Sequence, residues 1–163
     1  MDAKLDTHKF RSGASLIDVT VAIVVLTIAA IGTSNYRYYC TMDSRRADMR
    51  IAAAQAGNLL CENWKGIKGD QSYDPVTQLG GELTITKSNG PKEPEGFNRI
   101  ESYRIELNGD SYYTTLAYKD IYGGLRALNV VVSWSPRDFE GVYVDGDESY
   151  QLFRLTSYVS TSD

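Results

Sequence analysis

Between Ala14 and Tyr36 the chain carries one charged side chain, Asp18. Val, Ile, Leu and Ala dominate the rest of that 23-residue stretch. A hydrocarbon core of about 30 Å is crossed by about 20 helical residues, so residues 14–36 are long enough to span a bilayer. Nothing later in the chain constrains it as strongly, because a segment apolar on every side has to be kept out of water. Lys4, His8, Lys9 and Arg11 precede it, mixed with Asp2 and Asp6. A basic flank before a span and a long polar chain after it predict a cytoplasmic N-terminus and an external C-terminal part. A secretory signal peptide has a shorter apolar run followed by a small-x-small cleavage site. Here the run ends in Asn35, Tyr36, Arg37, Tyr38 and Tyr39, an aromatic and basic cluster of the interfacial kind. The span is therefore expected to be retained.

Asp18 is the anomaly. An aspartate inside a bilayer costs on the order of 3 kcal/mol and calls for a partner or an interface. Two readings are open. Asp18 lies near the surface and reaches headgroups, or it meets an amine created by cutting the chain before Ala14. The run Gly13-Ala14-Ser15-Leu16-Ile17-Asp18 resembles the prepilin motif of type IV pilins and type II secretion pseudopilins. In that family a peptidase cuts after the Gly, the new N-terminus is methylated, and the fifth mature residue is normally Glu. The resemblance implies that Gly13 ends the leader, Ala14 becomes the N-methylated terminus, and Asp18 is the assembly carboxylate. Two positions depart from the pattern. Ala14 stands where Phe is usual, and Asp18 is one methylene shorter than Glu, which reduces its reach to a neighbour's amine. One helical turn separates Ala14 from Asp18, so pairing within a chain stays open beside pairing between chains. The implied partners are prepilin peptidase, other pilin or pseudopilin subunits, the bacterial inner membrane and an assembly platform.

Beyond the span, Met42, Met49, Ala53, Ala56 and Leu60 recur at helical spacing and form a stripe. A helix over about residues 15–65 follows, roughly 75 Å long at the α-helical rise, with Gly66 as C-cap and Gly69 as a second stop. Cys40 and Cys61 both fall on it, roughly 30 Å apart, so free thiols are favoured over a bridge within the monomer. An intermolecular bridge or a broken helix are the alternatives. Residues 66–98 read as loop, except for a short strand over 82–87. Strands are expected over 100–107, 111–119, 125–134 and 150–159. Asn108-Gly109-Asp110 turns the first of these four into the second. Ile100, Tyr103, Ile105 and Leu107 alternate after one slip; residues 152–159 alternate less regularly. One face of this sheet is expected to be covered by the helical stripe. Val130-Val131-Val132-Ser133-Trp134 and the later 152–158 stretch are similar to the C-terminal hairpin of minor pilins and pseudopilins of the PilV or GspI kind. Residues 58–62 resemble the end of the long helix in those proteins.

The fold class expected is α+β, a long N-terminal helix packed on a C-terminal antiparallel β-sheet, the pilin fold. Its parts are a leader (1–13), a transmembrane helix (14–36), an amphipathic continuation (37–65) and a globular region (66–163). The net charge of −4 argues against nucleic acid, which selects basic faces. His8 is the only histidine and lies in the leader, so a mature chain has no His for a catalytic triad. No phosphate-binding Gly loop is present, and the chain is read as a non-enzyme without a cofactor. Asp145, Asp147 and Glu148 are a weak calcium candidate, since their spacing does not follow the EF-hand and a solvated acidic turn explains them. Tyr113, Tyr118, Tyr122, Tyr143 and Tyr150 read either as a binding surface or as strand packing.

Overall fold

A computed structural model of the chain describes residues 16–135, 143 and 149–161. Helix α1 (Leu16–Gly66) comes first, then a short helix α2 (Pro75–Leu79). Strands β1 (Thr84–Lys87), β2 (Asn98–Leu107), β3 (Asp110–Asp120), β4 (Leu125–Trp134) and β5 (Gln151–Ser160) complete the order. The strands form one antiparallel five-stranded sheet with spatial order β1-β2-β3-β4-β5. The protein is therefore α+β. It divides into two compact units, Met1–Asp43 and Ser44–Asp163.

In the second unit, the C-terminal part of α1 covers one face of the sheet. Met49, Ala53, Ala56 and Leu60 are buried as their spacing predicts, and Gly57, Cys61 and Trp64 widen the stripe. Met42, expected on it, is only half-buried. Facing the stripe are Tyr103 and Ile105 of β2, Tyr112 and Leu116 of β3, and Leu128, Val130, Val132 and Trp134 of β4. Glycine within a helix costs about 1 kcal/mol relative to alanine. At Gly57 the close approach of the sheet explains it: a Cβ there would lie 3.1 Å from Phe153 and 3.3 Å from Val132. Trp64 is fully buried, stacks on Tyr73 at 5.7 Å, and donates its Nε1–H to the Asp70 carbonyl at 2.7 Å.

Helix α1 ends in a Schellman turn. The Gly69 amide donates to the Trp64 carbonyl at 3.0 Å and the Lys68 amide to the Lys65 carbonyl at 2.9 Å. Lys68 and Gly69 both take the left-handed conformation, with φ of 56° and 68°. Gly69, the second of the two expected stops, is thus the one with left-handed backbone. It also has no room for a side chain, since a Cβ would come within 2.8 Å of Val159 and 2.9 Å of Leu128. Arg126 ties this turn to the sheet by donating from Nη1 to the Gly69 carbonyl at 2.8 Å. Its guanidinium lies 4.8 Å from the Tyr118 ring centroid.

Residues 66–98 are more ordered than a loop reading predicts. The Asp74 carboxylate accepts from the Val76 amide at 3.1 Å, with Pro75 opening the helix, and this pair starts α2. The slip in the β2 alternation is a β-bulge between Arg99 and Glu101, which leaves Ile100 as the extra residue. Asn108 and Gly109 both have positive φ, 55° and 84°, as a two-residue hairpin turn requires. The 151–160 alternation is regular rather than loose, every second residue being half-buried.

The expectation of a single covered face fails for β3 and β4. On their far face Tyr113, Thr115, Ala117, Val131 and Ser133 are buried too. The segment 88–97 supplies part of that cover. The Pro91 carbonyl accepts from Thr115 Oγ1 at 2.6 Å and from Arg99 Nη2 at 2.9 Å. Ser102 Oγ and Thr115 Oγ1 bond to each other at 2.8 Å. Gly90 sits so close that a Cβ would meet Thr115 Oγ1 at 2.7 Å. Tyr143 and Tyr150 add to the cover, with ring centroids 5.5 and 6.1 Å from that of Tyr113. Strand packing therefore accounts for these tyrosines, while Tyr122 is 81% exposed.

Two outcomes follow. Gly69→Ala should lower stability by about 1–3 kcal/mol through left-handed strain, with the clash adding to it. Gly81→Ala, where a Cβ meets nothing within 4 Å, should change it little. Denaturation followed by tryptophan fluorescence reads both. Burial, with Asp110 as a lesser cause, pushes the Tyr112 phenol up to about 12, and burial also raises Tyr73 and Tyr103. Unfolded tyrosines ionise near 10. The stability from keeping these phenols neutral is full below pH 10 and falls from there upward, by up to about 1.4 kcal/mol per pH unit for each. Alkaline titration of the unfolding free energy should show this loss, and Tyr112→Phe should make its slope shallower.

Candidate membrane and assembly helix

The first unit holds the N-terminal part of α1, and its surface is the reverse of the second unit's. Its large apolar side chains from Leu16 to Ile31 are all exposed, from 48% at Val19 to 82% at Leu16, on every side of the helix. A helix hydrophobic all round belongs in a core or a membrane. This segment is long and apolar enough to cross a bilayer, and none of it is buried by the rest of the chain. A candidate membrane anchor is the reading its surface supports.

Apart from Asp18, the polar residues described between Leu16 and Ser34 are hydroxyls, and each is satisfied within the helix. Thr20 Oγ1 donates toward the Ile17 and Leu16 carbonyls at 2.8 and 3.1 Å. Thr27 bonds the Ile23 carbonyl at 2.8 Å, Thr33 that of Ala29 at 2.7 Å, and Ser34 that of Ala30 at 2.9 Å. In hydrocarbon a polar group without a partner costs several kcal/mol, and back-bonding of this kind removes that cost. These residues were not singled out from the sequence. Their signal was chemical type, since Ser and Thr are the polar side chains able to bond the preceding turn.

Asp18 stands in the first turn of α1 and its side chain is exposed. The positive end of the helix dipole favours a negative charge there. Gly13 and Ala14, which the cleavage motif singles out, lie outside the described residues. So do Asp145, Asp147 and Glu148 of the calcium candidate. Among the described residues no group of three or more His, Cys, Asp or Glu side chains is placed to hold a metal ion. Beyond the apolar segment, Tyr36, Tyr38 and Tyr39 are exposed by 64–71%, and Tyr38 meets Tyr39 edge to face at 5.9 Å. Their amphipathic rings suit a membrane–water boundary.

Cys40 and Cys61 are both free thiols, Cys40 exposed and Cys61 buried. Burial raises the Cys61 pKa, opposed by a hydrogen bond with Ser157. An open cleft of about 440 Å³ lies between α1 and the β2–β3 turn, lined by Arg45, Asp48, Met49, Gln55, Asp110 and Tyr112 among others. The exposed Arg45 spans it to Asp110 at 3.4 Å, and nothing in it forms a nucleophile–base pair.

The chain matches no protein-family model, curated protein or solved structure in the three comparisons. The architecture itself, a long N-terminal apolar helix continuing into a packed face of an antiparallel sheet, is compatible with a pilin-like fold.

The thiols report on both units. In detergent, a maleimide should label Cys40 within minutes, while Cys61 should react at least about tenfold more slowly until denaturant is added, as expected of a buried thiol with a raised pKa. Equal rates would contradict the packing of α1 on the sheet.

Proposed function

We propose that the chain is a minor pilin or pseudopilin, a structural subunit of a type IV pilus or type II secretion filament. One observation carries the reading. The Gly13–Asp18 motif leads directly into a helix whose first part is apolar on all sides and whose Thr20, Thr27, Thr33 and Ser34 hydroxyls bond back to the preceding turn. The same helix ends as the cover of an antiparallel sheet. An anchored binding module needs a span, but not a glycine and a carboxylate at these two positions.

In this reading prepilin peptidase cuts between Gly13 and Ala14, and Ala14 is N-methylated. Loss of the charged leader puts a cationic amine at the head of the helix. The subunit waits in the inner membrane with its sheet domain on the periplasmic side. On assembly the helices leave the bilayer and pack together, and Asp18 meets the amine of a neighbour. Both charges are costly in a low-dielectric bundle alone and stable there as a pair, so the pair sets the stagger between subunits. The work is assembly, with no cofactor and no reaction of its own.

The test is Asp18→Ala in cells carrying the assembly machinery. The variant should still be cleaved but enter filaments at least about tenfold less than wild type, because one charge is left buried without its partner. Asp18→Glu should assemble. Normal incorporation of Asp18→Ala would refute the docking role.

A further inference from the structure

The two edges of the sheet differ in a way the assembly reading does not use. Edge strand β1 is four residues long and ends in Lys87. Gly80 and Gly81 precede it and Asn89, Gly90 and Pro91 follow it. Short length, a lysine and flanking Gly and Pro all discourage another strand from pairing there. Edge strand β5 has none of these features. It runs ten residues, Gln151–Ser160, without Gly or Pro, and pairs with β4 in unbroken register from Trp134↔Gln151 to Leu125↔Ser160.

Its side chains divide cleanly. Phe153, Leu155 and Val159 pack against the core. Leu152, Arg154, Thr156 and Tyr158 face outward and are exposed, Leu152 and Tyr158 by 59% each. Their neighbours across β4 are Ser133, Val131, Asn129 and Ala127, all of them buried, so the exposed row begins at β5 itself. Arg154 is also unlike the other strand arginines. Arg99 pairs with Glu93, Arg104 with Glu106, and Arg126 with Asp120. Among the described residues Arg154 has no carboxylate partner.

We propose that the edge of β5 turned away from β4, which no described strand pairs, receives an extended peptide strand from a protein partner, with an acidic side chain set against Arg154 and apolar side chains against Leu152 and Tyr158. Backbone amides and carbonyls along the edge supply sequence-independent pairing, and the alternating outward row supplies selectivity. An opposite charge beside Arg154 on the same face is favourable and a like charge is not. The acceptor is therefore specific for an acidic strand bounded by apolar residues. The inference stands on the sheet alone and does not depend on cleavage at Gly13.

The test uses the full chain in detergent and two fluorescent peptides. Both alternate valine and threonine; one carries glutamate and the other lysine at the position facing Arg154. Anisotropy should show wild type preferring the glutamate peptide by about tenfold, as direct cross-strand charge pairs would give in summed attraction and repulsion. Arg154→Glu should invert the preference, and Leu152→Lys should weaken both peptides. These side chains are exposed, so the tryptophan fluorescence of each variant should match wild type and report intact folding. Equal binding of the two peptides, no binding of either at millimolar concentration, or an unchanged preference in Arg154→Glu would overturn the proposal. Dimers of the chain that Leu152→Lys breaks and the peptides cannot displace would overturn it in favour of a second copy as occupant.

Discussion

One helix has to satisfy two surroundings, and the rest of the structure follows from how it does so. In residues 16–34 of α1, side chains on every face are apolar and the hydroxyls fold back onto the preceding turn. In residues 49–64 the apolar character narrows to one stripe, with alanines and Gly57 where the sheet comes closest. The first pattern suits hydrocarbon, in which backbone and hydroxyl groups must be satisfied within the helix. The second suits a helix with one face on a sheet and the other in water.

The sheet is organised to hold that second part of the helix in place. Trp64 is the largest side chain of the stripe, and truncating a tryptophan of this kind costs about 3–5 kcal/mol. Immediately after it, the turn at Lys68 and Gly69 closes the helix and Arg126 fastens the turn to β4. On the opposite face, a hydroxyl bonds the covering segment. Thr115 and Ser102 sit at the centre of the sheet, and the Pro91 carbonyl satisfies Thr115 there. A buried hydroxyl is tolerated when it is bonded, and here the bond also fixes where residues 88–97 lie.

Much of this was legible in the residues. The period of Met49, Ala53, Ala56 and Leu60 identifies the packed face, and the slip at Ile100 marks the bulge. Asn108-Gly109 identifies the hairpin because both positions need positive φ. What escaped reading has physical reasons. Asp74-Pro75 is a helix start, but a five-residue helix leaves no periodicity to notice. Residues 88–97, rich in Pro, Gly and charge, look like a solvated loop; their role comes from one carbonyl meeting a hydroxyl 24 residues away in sequence, which no local pattern encodes. For the candidate site, Asp18 stood out as the lone charge of the span. The hydroxyls around it did not, because their fitness for hydrocarbon lies in geometry.

The central claim is that the apolar part of α1 is delivered by cleavage as well as anchored. In the proposed assembly reading the carboxylate near the start of this helix pairs with a new amine, and that amine exists only if the chain is cut before Ala14. The most direct measurement is the intact mass of the membrane-associated protein, with sequencing of its N-terminus. The account predicts a chain that begins at N-methylated Ala14. A chain in the membrane fraction that still begins at Met1 would contradict it.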